Sequence, residues 1–314
     1  MSEHGFVRHH RSAPPPATLG RVTHPREHPG QRVLVTGASS GVGLEIARCL
    51  AAAGAEVVMP VRDAKRGARA RNAVLAAVPA ARIHLDSLDL TRLDSVRALT
   101  ARLLEDGRPI DGLVLNAGVA LVGDRVRHVT ADGFELHFQT NFLGHAALVT
   151  GLLPLLERSR ARVVAQGSLA SRAWGVRWGD LQCARRYGPL RAYGSSKSLL
   201  GLFAVELARR SPRLGVGLAH PGVVPATAIA PGVRARIAPG IRDFAVARLG
   251  NRPSVAAAPA LAALDAATSG EPVCFGPGGF LELAGPARAR RVGRRLRDVG
   301  EARRVWELAD RLLR

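Results

Sequence analysis

The feature that most constrains this chain is a repeating alternation of short apolar runs and helix-length segments. Apolar runs fall at 32–36, 55–61, 82–88, 111–116, 161–167 and 214–219, with a last short one at Val273-Cys274-Phe275. Helix-length segments lie between them at 63–77, 92–105, 131–157 and 192–210, and a later one covers Ser254–Thr268. The first helical segment places Ile46, Leu50 and Ala53 on one face, and Gly54 stops it. Strands separated by helices cannot pair as hairpins. They predict right-handed crossovers and an α/β fold, a doubly wound parallel sheet of about seven strands with helices on both faces.

No repeat and no second domain interrupts this order in the 314 residues. Residues 1–30 read as a separate tail, with Pro14, Pro15, Pro16, Pro25 and Pro29, five of the ten histidines, and no apolar period. His9 and His10 offer a metal-binding reading of that tail, and a disordered basic arm is the plainer one. No metal site is expected in the chain. From Pro286 to the end the sequence is basic and reads as a helical extension, with Val305, Leu308 and Leu312 on one stripe. The predicted organisation is therefore a tail at 1–30, an α/β domain at 31–285 and an extension at 286–314.

Composition excludes several classes. At 47% apolar and 22% charged, the chain is not a wholly disordered one. The longest apolar stretch, His145 to Leu156, is too short for an integral membrane span and contains Pro154. The first thirty residues lack the apolar core of a secretory signal. Cys49, Cys183 and Cys274 are too few and too scattered for a disulfide framework, which fits a reducing cytoplasm. The net charge of +20 raises the question of a polyanionic partner. Only Lys65 and Lys197 are lysines, so GC-rich codon bias explains the preference for arginine, though not the excess. No nucleic-acid motif accompanies the charge, much of which sits in 231–252 and the last 34 residues. It is read as surface charge, with no nucleic acid as partner.

The first strand runs into Thr36-Gly37-Ala38-Ser39-Ser40-Gly41-Val42-Gly43 and then directly into a helix. Strand, glycine turn and helix N-terminus together make a pyrophosphate site, because the glycines admit the backbone and the helix end offers free N–H groups and a positive dipole end. The spacing differs from G-x-G-x-x-G. At the end of the second strand, where an NAD-specific site would place a carboxylate, this chain has Val61-Arg62-Asp63. Arg62 suits a 2′-phosphate, which favours NADP(H) over NAD(H). Asp63 reads either as a ribose ligand or as the N-cap of the next helix.

Tyr193-Gly194-Ser195-Ser196-Lys197 opens a helix, so the phenol and ammonium share one face in a chain with only two tyrosines and two lysines. A phenol of ordinary pKa near 10 is a poor proton donor or acceptor at neutral pH, and a neighbouring cation lowers it toward use.

With the glycine loop, Asn116-Ala117-Gly118 after the fourth strand and a serine after the fifth, this pattern resembles the short-chain dehydrogenase/reductase family over residues 31–285. Asp132-Gly-Phe-Glu135, Thr140-Asn-Phe-Leu-Gly-His145, Arg191-Ala-Tyr-Gly-Ser-Ser-Lys197, His220-Pro-Gly222 and Phe275-Gly-Pro-Gly-Gly-Phe280 are similar to phrases of its retinol-dehydrogenase and WW-domain-oxidoreductase-like branch. The resemblance implies a Rossmann-type fold and a catalytic tetrad. Asn141 would anchor a proton-relay water, Ser168 orient the substrate oxygen, Tyr193 act as general acid/base, and Lys197 lower its pKa and hold the nicotinamide ribose. It further implies cofactor contacts from Thr36, Gly37, Ser39, Ser40, Gly41, Val42 and Gly43, from Arg62, from Asp89 and Leu90, from Asn116, Ala117 and Gly118, and from Pro221 and Gly222.

Three departures stand out. The usual Ser-Ser doublet is Gly167-Ser168, preceded by Gln166 in an apolar position. Ala226 stands where the family commonly has threonine, with Thr227 one later. The Ser168–Tyr193 separation is 25 residues, and the insert carries Trp174, Trp178 and Tyr187, either substrate-loop walls or loop packing. The resulting expectation is an NADP(H)-dependent oxidoreductase interconverting a ketone or aldehyde and an alcohol, on a lipophilic small molecule. Family resemblance implies a homodimer or homotetramer through the helices at 131–157 and 192–210. The alternative is a non-catalytic NADP-binding regulator or scaffold of the same fold.

Overall fold

The computed structural model describes residues 27–224, 251–267 and 270–314. The basic tail up to residue 26 and most of the 223–252 segment, with Ala226 and Thr227, lie outside the described residues. The seven expected strands are present as β1 (Arg32–Val35), β2 (Glu56–Val61), β3 (Arg82–Ser87), β4 (Gly112–Leu115), β5 (Arg162–Gln166), β6 (Gly215–Ala219) and β7 (Val273–Pro277), joined by β8 (Ala287–Arg290). Their order is β3-β2-β1-β4-β5-β6-β7-β8. Neighbours from β3 to β7 are parallel, and only β8 runs antiparallel to β7. The order reverses between β1 and β4, and this switch point opens the crevice at the carboxyl ends of the strands where doubly wound sheets bind ligands.

The helices are α1 (Gly41–Ala52), α2 (Ala64–Ala77), α3 (Leu93–Asp106), the short α4 (Leu136–Phe138), α5 (Gly144–Arg158), the short α6 (Ala170–Ala173), α7 (Pro189–Arg210), α8 (Pro253–Ala266) and α9 (Val299–Leu313). Both sheet faces are covered. On one, Ile46 and Leu50 of α1, Val74 of α2 and Ala260 of α8 pack on Val33, Val57 and Val164. On the other, Leu99 of α3, Leu152 of α5 and Phe203 of α7 pack on Leu34, Leu113 and Val163. Burial on both faces explains why β1, β2, β4, β5 and β6 read as apolar runs. His145 to Leu156 belongs to this second core as part of α5. Among the described residues, no helix is long and apolar enough to cross a membrane.

The extension after 285 differs from the helical reading. Ala287-Arg-Ala-Arg290 adds a strand to the sheet edge, and only Val299–Leu313 is a long helix. Alternating Ala and Arg suits a helix locally, but pairing with β7 decides the outcome. Helix α9 then buries Ala302, Val305, Leu308 and Ala309 against α7 and α5. Trp306 stacks on Phe203 with ring centroids 4.9 Å apart, and Arg210 lies over the indole. The face of α7 around Phe203 is thus covered within the chain, and self-association through it requires α9 to move.

Candidate active site

Thr36 directly follows β1 and ties two loops together. Its Oγ1 accepts from the backbone N–H groups of Asn116 and Ala117, each at 3.0 Å, and Asn116 Nδ2 donates to the Thr36 carbonyl at 3.0 Å. Gly37 has φ +68°, and a Cβ there would stand 2.8 Å from Ala117 Cα, so only glycine lets the two turns meet. Ser40 sits at the N-cap of α1 and makes no side-chain capping bond. Donors of the first helical turn therefore remain available, as an anion requires. Ser39, Ser40 and Gly41 border this open turn, whereas Val42 and Gly43 are buried and can offer a ligand only backbone. These features fit a dinucleotide pyrophosphate.

Arg62 follows β2, is exposed, and has no ion pair among the described residues. Asp63 is the N-cap of α2: its Oδ1 accepts from Arg66 N at 3.0 Å. That bond also holds its carboxyl below the usual range. Of the two readings of Asp63, the cap is the one formed here. Arg66 NH2 reaches Ser40 Oγ at 3.4 Å, so a second guanidinium stands beside the glycine loop. Sequence reasoning passed over Arg66, although its i, i+4 relation to Arg62 was a usable signal. Asp89 forms a local turn, its Oδ1 accepting from Thr91 N at 2.9 Å and Thr91 Oγ1 at 2.7 Å. Leu90 is buried beside it.

The four tetrad candidates converge from α7, the end of β5 and an irregular turn before α5. Residues 131–157 had read as one helix, but Gln139–Leu143 form a π-helical turn between α4 and α5. Such a turn displaces the backbone and often marks a functional site. Asn141 lies within it, fully buried. Its Oδ1 accepts from Val119 N at 2.8 Å, and its Nδ2 donates to Val119 O at 3.0 Å and Ser196 Oγ at 2.9 Å. Ser196 Oγ in turn donates to the Tyr193 carbonyl at 2.7 Å. A Cβ on Gly118 would lie 3.1 Å from Asn141 Oδ1 and 3.3 Å from Lys197 Nζ, so the glycine leaves room where these groups meet.

Lys197 is buried, and Nζ donates to the Gln166 carbonyl at 2.8 Å. Burial pushes its pKa down to about 8. Ser168 Oγ accepts from Ala170 N at 3.2 Å, and its hydroxyl is near enough to the Tyr193 phenol to favour the phenolate. Desolvation raises the Tyr193 phenol above its ordinary value and Ser168 opposes that rise. The lowering expected from Lys197 is not found here: burial raises the phenol, only Ser168 opposes the rise, and the ammonium is directed at Gln166.

The sequence profile of short chain dehydrogenases matches residues 31–237. This chain belongs to the short chain dehydrogenase family. It is 40% identical over 199 residues to retinol dehydrogenase 12 of Mus musculus, an alignment spanning 62% of each chain. The crystal structure of an uncharacterized protein from Mycobacterium paratuberculosis is similar with a TM-score of 0.69 and 31% identity, over 92% of this chain and 95% of that one. Pseudomonas aeruginosa RhlG, solved with NADP in its active site, is similar with a TM-score of 0.62 and 27% identity, over 80% of this chain and 97% of RhlG.

Several further residues brace the site of this short chain dehydrogenase. His145 is fully buried; its Nδ1 donates to the Asn141 carbonyl at 3.2 Å, and its Nε2 accepts from Thr36 Oγ1 at 3.1 Å. Burial, with Lys197 nearby, pushes its pKa down to about 3, so it is neutral and links the glycine loop to the π turn. Asn251 Nδ2 donates to the Pro221 carbonyl at 2.9 Å and its Oδ1 accepts from Gly285 N at 3.0 Å, which fixes the Pro221-Gly222 turn. Gln166 is buried with both amide atoms unpartnered among the described residues. Trp178 proves to be loop packing: its Nε1 donates to Glu301 Oε2 at 2.8 Å and Arg304 covers its ring. Trp174 lines a groove against the C-terminal segment. The Tyr187 hydroxyl is buried without a partner, and burial pushes its pKa up to about 12. Among the described residues, no group of three acidic, His or Cys side chains is arranged to hold a metal.

Proposed function

We propose that this short chain dehydrogenase is an NADP(H)-dependent oxidoreductase that interconverts a lipophilic ketone or aldehyde and the corresponding alcohol, with residues 31–285 as the catalytic unit. The observation that carries this reading is the convergence of Ser168, Tyr193 and Lys197: a desolvated phenol beside a serine hydroxyl that favours its ionisation, with a buried ammonium one helical turn further along α7. When bound, the nicotinamide supplies or takes the hydride. In the reductive direction the substrate oxygen accepts from Ser168 and Tyr193, and the proton moves from the Tyr193 hydroxyl to that oxygen. Ser168 and the Lys197 ammonium stabilise the phenolate that remains, an electrostatic contribution that strengthens as charge develops. A lysine titrating at about 8 is mostly charged at neutral pH and can pass a proton on toward Tyr193. Asn141, bonded to Ser196 and Val119, keeps the floor of the site in register.

Preference for NADP(H) rests on two guanidinium groups near the adenosine end, Arg62 and Arg66, neither in an ion pair among the described residues, and on the absence of a carboxylate ahead of them. The orphaned Gln166 amide suits a polar group such as a carboxamide at the end of β5. A lipophilic substrate is supported by likeness to a retinol dehydrogenase and by the apolar wall beside Ser168, which includes Leu200, Leu218 and Leu296.

A panel of carbonyls and alcohols, followed by NADPH and NADH absorbance in parallel, tests the reading. Turnover with NADPH at a kcat/KM well above that with NADH supports it. Binding of NADPH with no turnover of any compound favours the non-catalytic alternative.

A further inference from the structure

A cavity of about 410 Å³ lies between α7, the ends of β5 and β6, and the segment following β8. Ser168 and Lys197 stand on its wall, and Ala165, Leu200, Leu218, Cys274 and Leu296 give it an apolar lining. Its size suits an organic ligand, since such pockets run from about 300 to about 1,000 Å³. The charge around it is one-sided. Arg172, Arg291, Arg294 and Arg295 line it, and among the described residues no aspartate or glutamate does.

Of these arginines, only Arg172 has a carboxylate partner among the described residues. Arg172 is bound to Glu282 at 2.6 Å, and that carboxylate is already shared with His220 at 2.6 Å and Arg290 at 3.7 Å. Arg295 donates to the Arg172 carbonyl at 3.0 Å, a neutral partner. Arg291 and Arg294 have no hydrogen bond or ion pair among the described residues. In the adjoining groove, Asp298 caps α9 through Glu301 N, and Glu301 accepts from Trp178 Nε1. Cations around a low-dielectric concavity attract an anion more strongly than the same charges on a flat surface. A second observation points to a polar ligand in the same place. His220 lines the cavity, is 7% exposed, gives its Nε2 to Glu282, and leaves Nδ1 buried without a partner among the described residues.

We propose that this cavity takes an amphiphilic substrate: an apolar chain with the reacting carbonyl or hydroxyl at Ser168 and an anionic group, a carboxylate or a phosphate, held by Arg291, Arg294 and Arg295. The reacting end rests on the oxidoreductase reading above; the anion site does not. Part of the basic excess of the C-terminal extension thereby serves recognition, and the extension becomes a specificity element that β8 anchors to the sheet edge.

Calorimetry on the full-length protein tests the anion site without requiring turnover. Decanoate and decyl phosphate are titrated against decanol, with and without saturating NADP+, and with wild type and the Arg291→Gln/Arg294→Gln variant. Both substituted residues are exposed, and an unchanged melting curve verifies the fold. Both anions are expected to bind at least about tenfold tighter than decanol, and the variant to lose that preference while decanol binding stays within about twofold. Raising salt from about 50 to about 500 mM should also weaken anion binding. One anion bound and the other refused narrows the group and leaves the site standing. Equal binding of anions and alcohol, an unaffected variant, or displacement of the anion by NADP+ overturns the proposal. Anion binding without reduction of 10-oxodecanoate or decanal by NADPH retains the site and sinks the reaction.

Discussion

Replacing Lys197 by methionine separates the effect of the buried ammonium on the fold from its effect on the reaction. Burial brings the Lys197 pKa from 10.5 to about 8. At about 1.4 kcal/mol per pKa unit, that lowering means roughly 3 kcal/mol of destabilisation from holding the charge inside at neutral pH. The unfolded lysine keeps its proton up to a pH of about 10.5 and the folded one only to about 8. Between these values the unfolded state binds more protons, so stability rises with pH across that window. Below it the full penalty applies. Methionine keeps the aliphatic length and removes the charge, but it forfeits the 2.8 Å bond to the Gln166 carbonyl, worth about 1–2 kcal/mol. Lys197→Met should therefore be as stable as wild type or up to about 2 kcal/mol more stable at pH 7, with kcat lowered at least about a hundredfold. Urea unfolding followed by circular dichroism at about pH 7 and about pH 9.5, beside a steady-state assay, reads both effects. The advantage of the variant should shrink by more than about 1 kcal/mol at the higher pH. A variant destabilised by more than about 2 kcal/mol at pH 7, or a stability difference that ignores pH, would refute the reasoning.

Three other substitutions probe separate parts of the structure. Arg62→Ala and Arg66→Ala should each raise KM for NADPH about tenfold and leave that for NADH within about twofold, as judged by initial rates with both coenzymes. His145→Leu strips hydrogen bonds from Thr36 Oγ1 and the Asn141 carbonyl; a loss of about 2–4 kcal/mol in urea unfolding and weaker nucleotide binding are expected. Trp306→Ala removes the stack on Phe203 and should lower stability by about 2–3 kcal/mol without changing turnover per folded molecule.

The order of strands and helices was legible because β1, β2, β4, β5 and β6 are buried on both faces and helices connect the parallel strands, so apolar runs and helical periods alternate. The glycine loop and the Tyr193–Lys197 pair were legible because their chemistry is local: a turn, a helix end, and one helical face. What escaped is non-local. Strand β8 is written Ala-Arg-Ala-Arg, a sequence with no strand signal of its own that pairs only because β7 offers an open edge. The π turn at Gln139–Leu143 has no residue signature, since its register is set by how Asn141 meets Val119 and Ser196. Ser196 read as a spacer inside the Tyr193–Lys197 motif, yet it joins the π turn to the Tyr193 backbone. Trp178 could not be assigned from its insert, because its partner Glu301 is 123 residues away.

The central claim, proton transfer by Tyr193, is tested most directly by Tyr193→Phe on a carbonyl substrate that the wild type reduces with NADPH. Phenylalanine keeps the ring and removes only the hydroxyl that Ser168 contacts. The expected result is a loss of kcat of at least about a thousandfold with the Kd for NADPH, read by fluorescence titration, changed less than about threefold. Turnover within about tenfold of wild type would contradict the assignment of Tyr193 as the general acid/base.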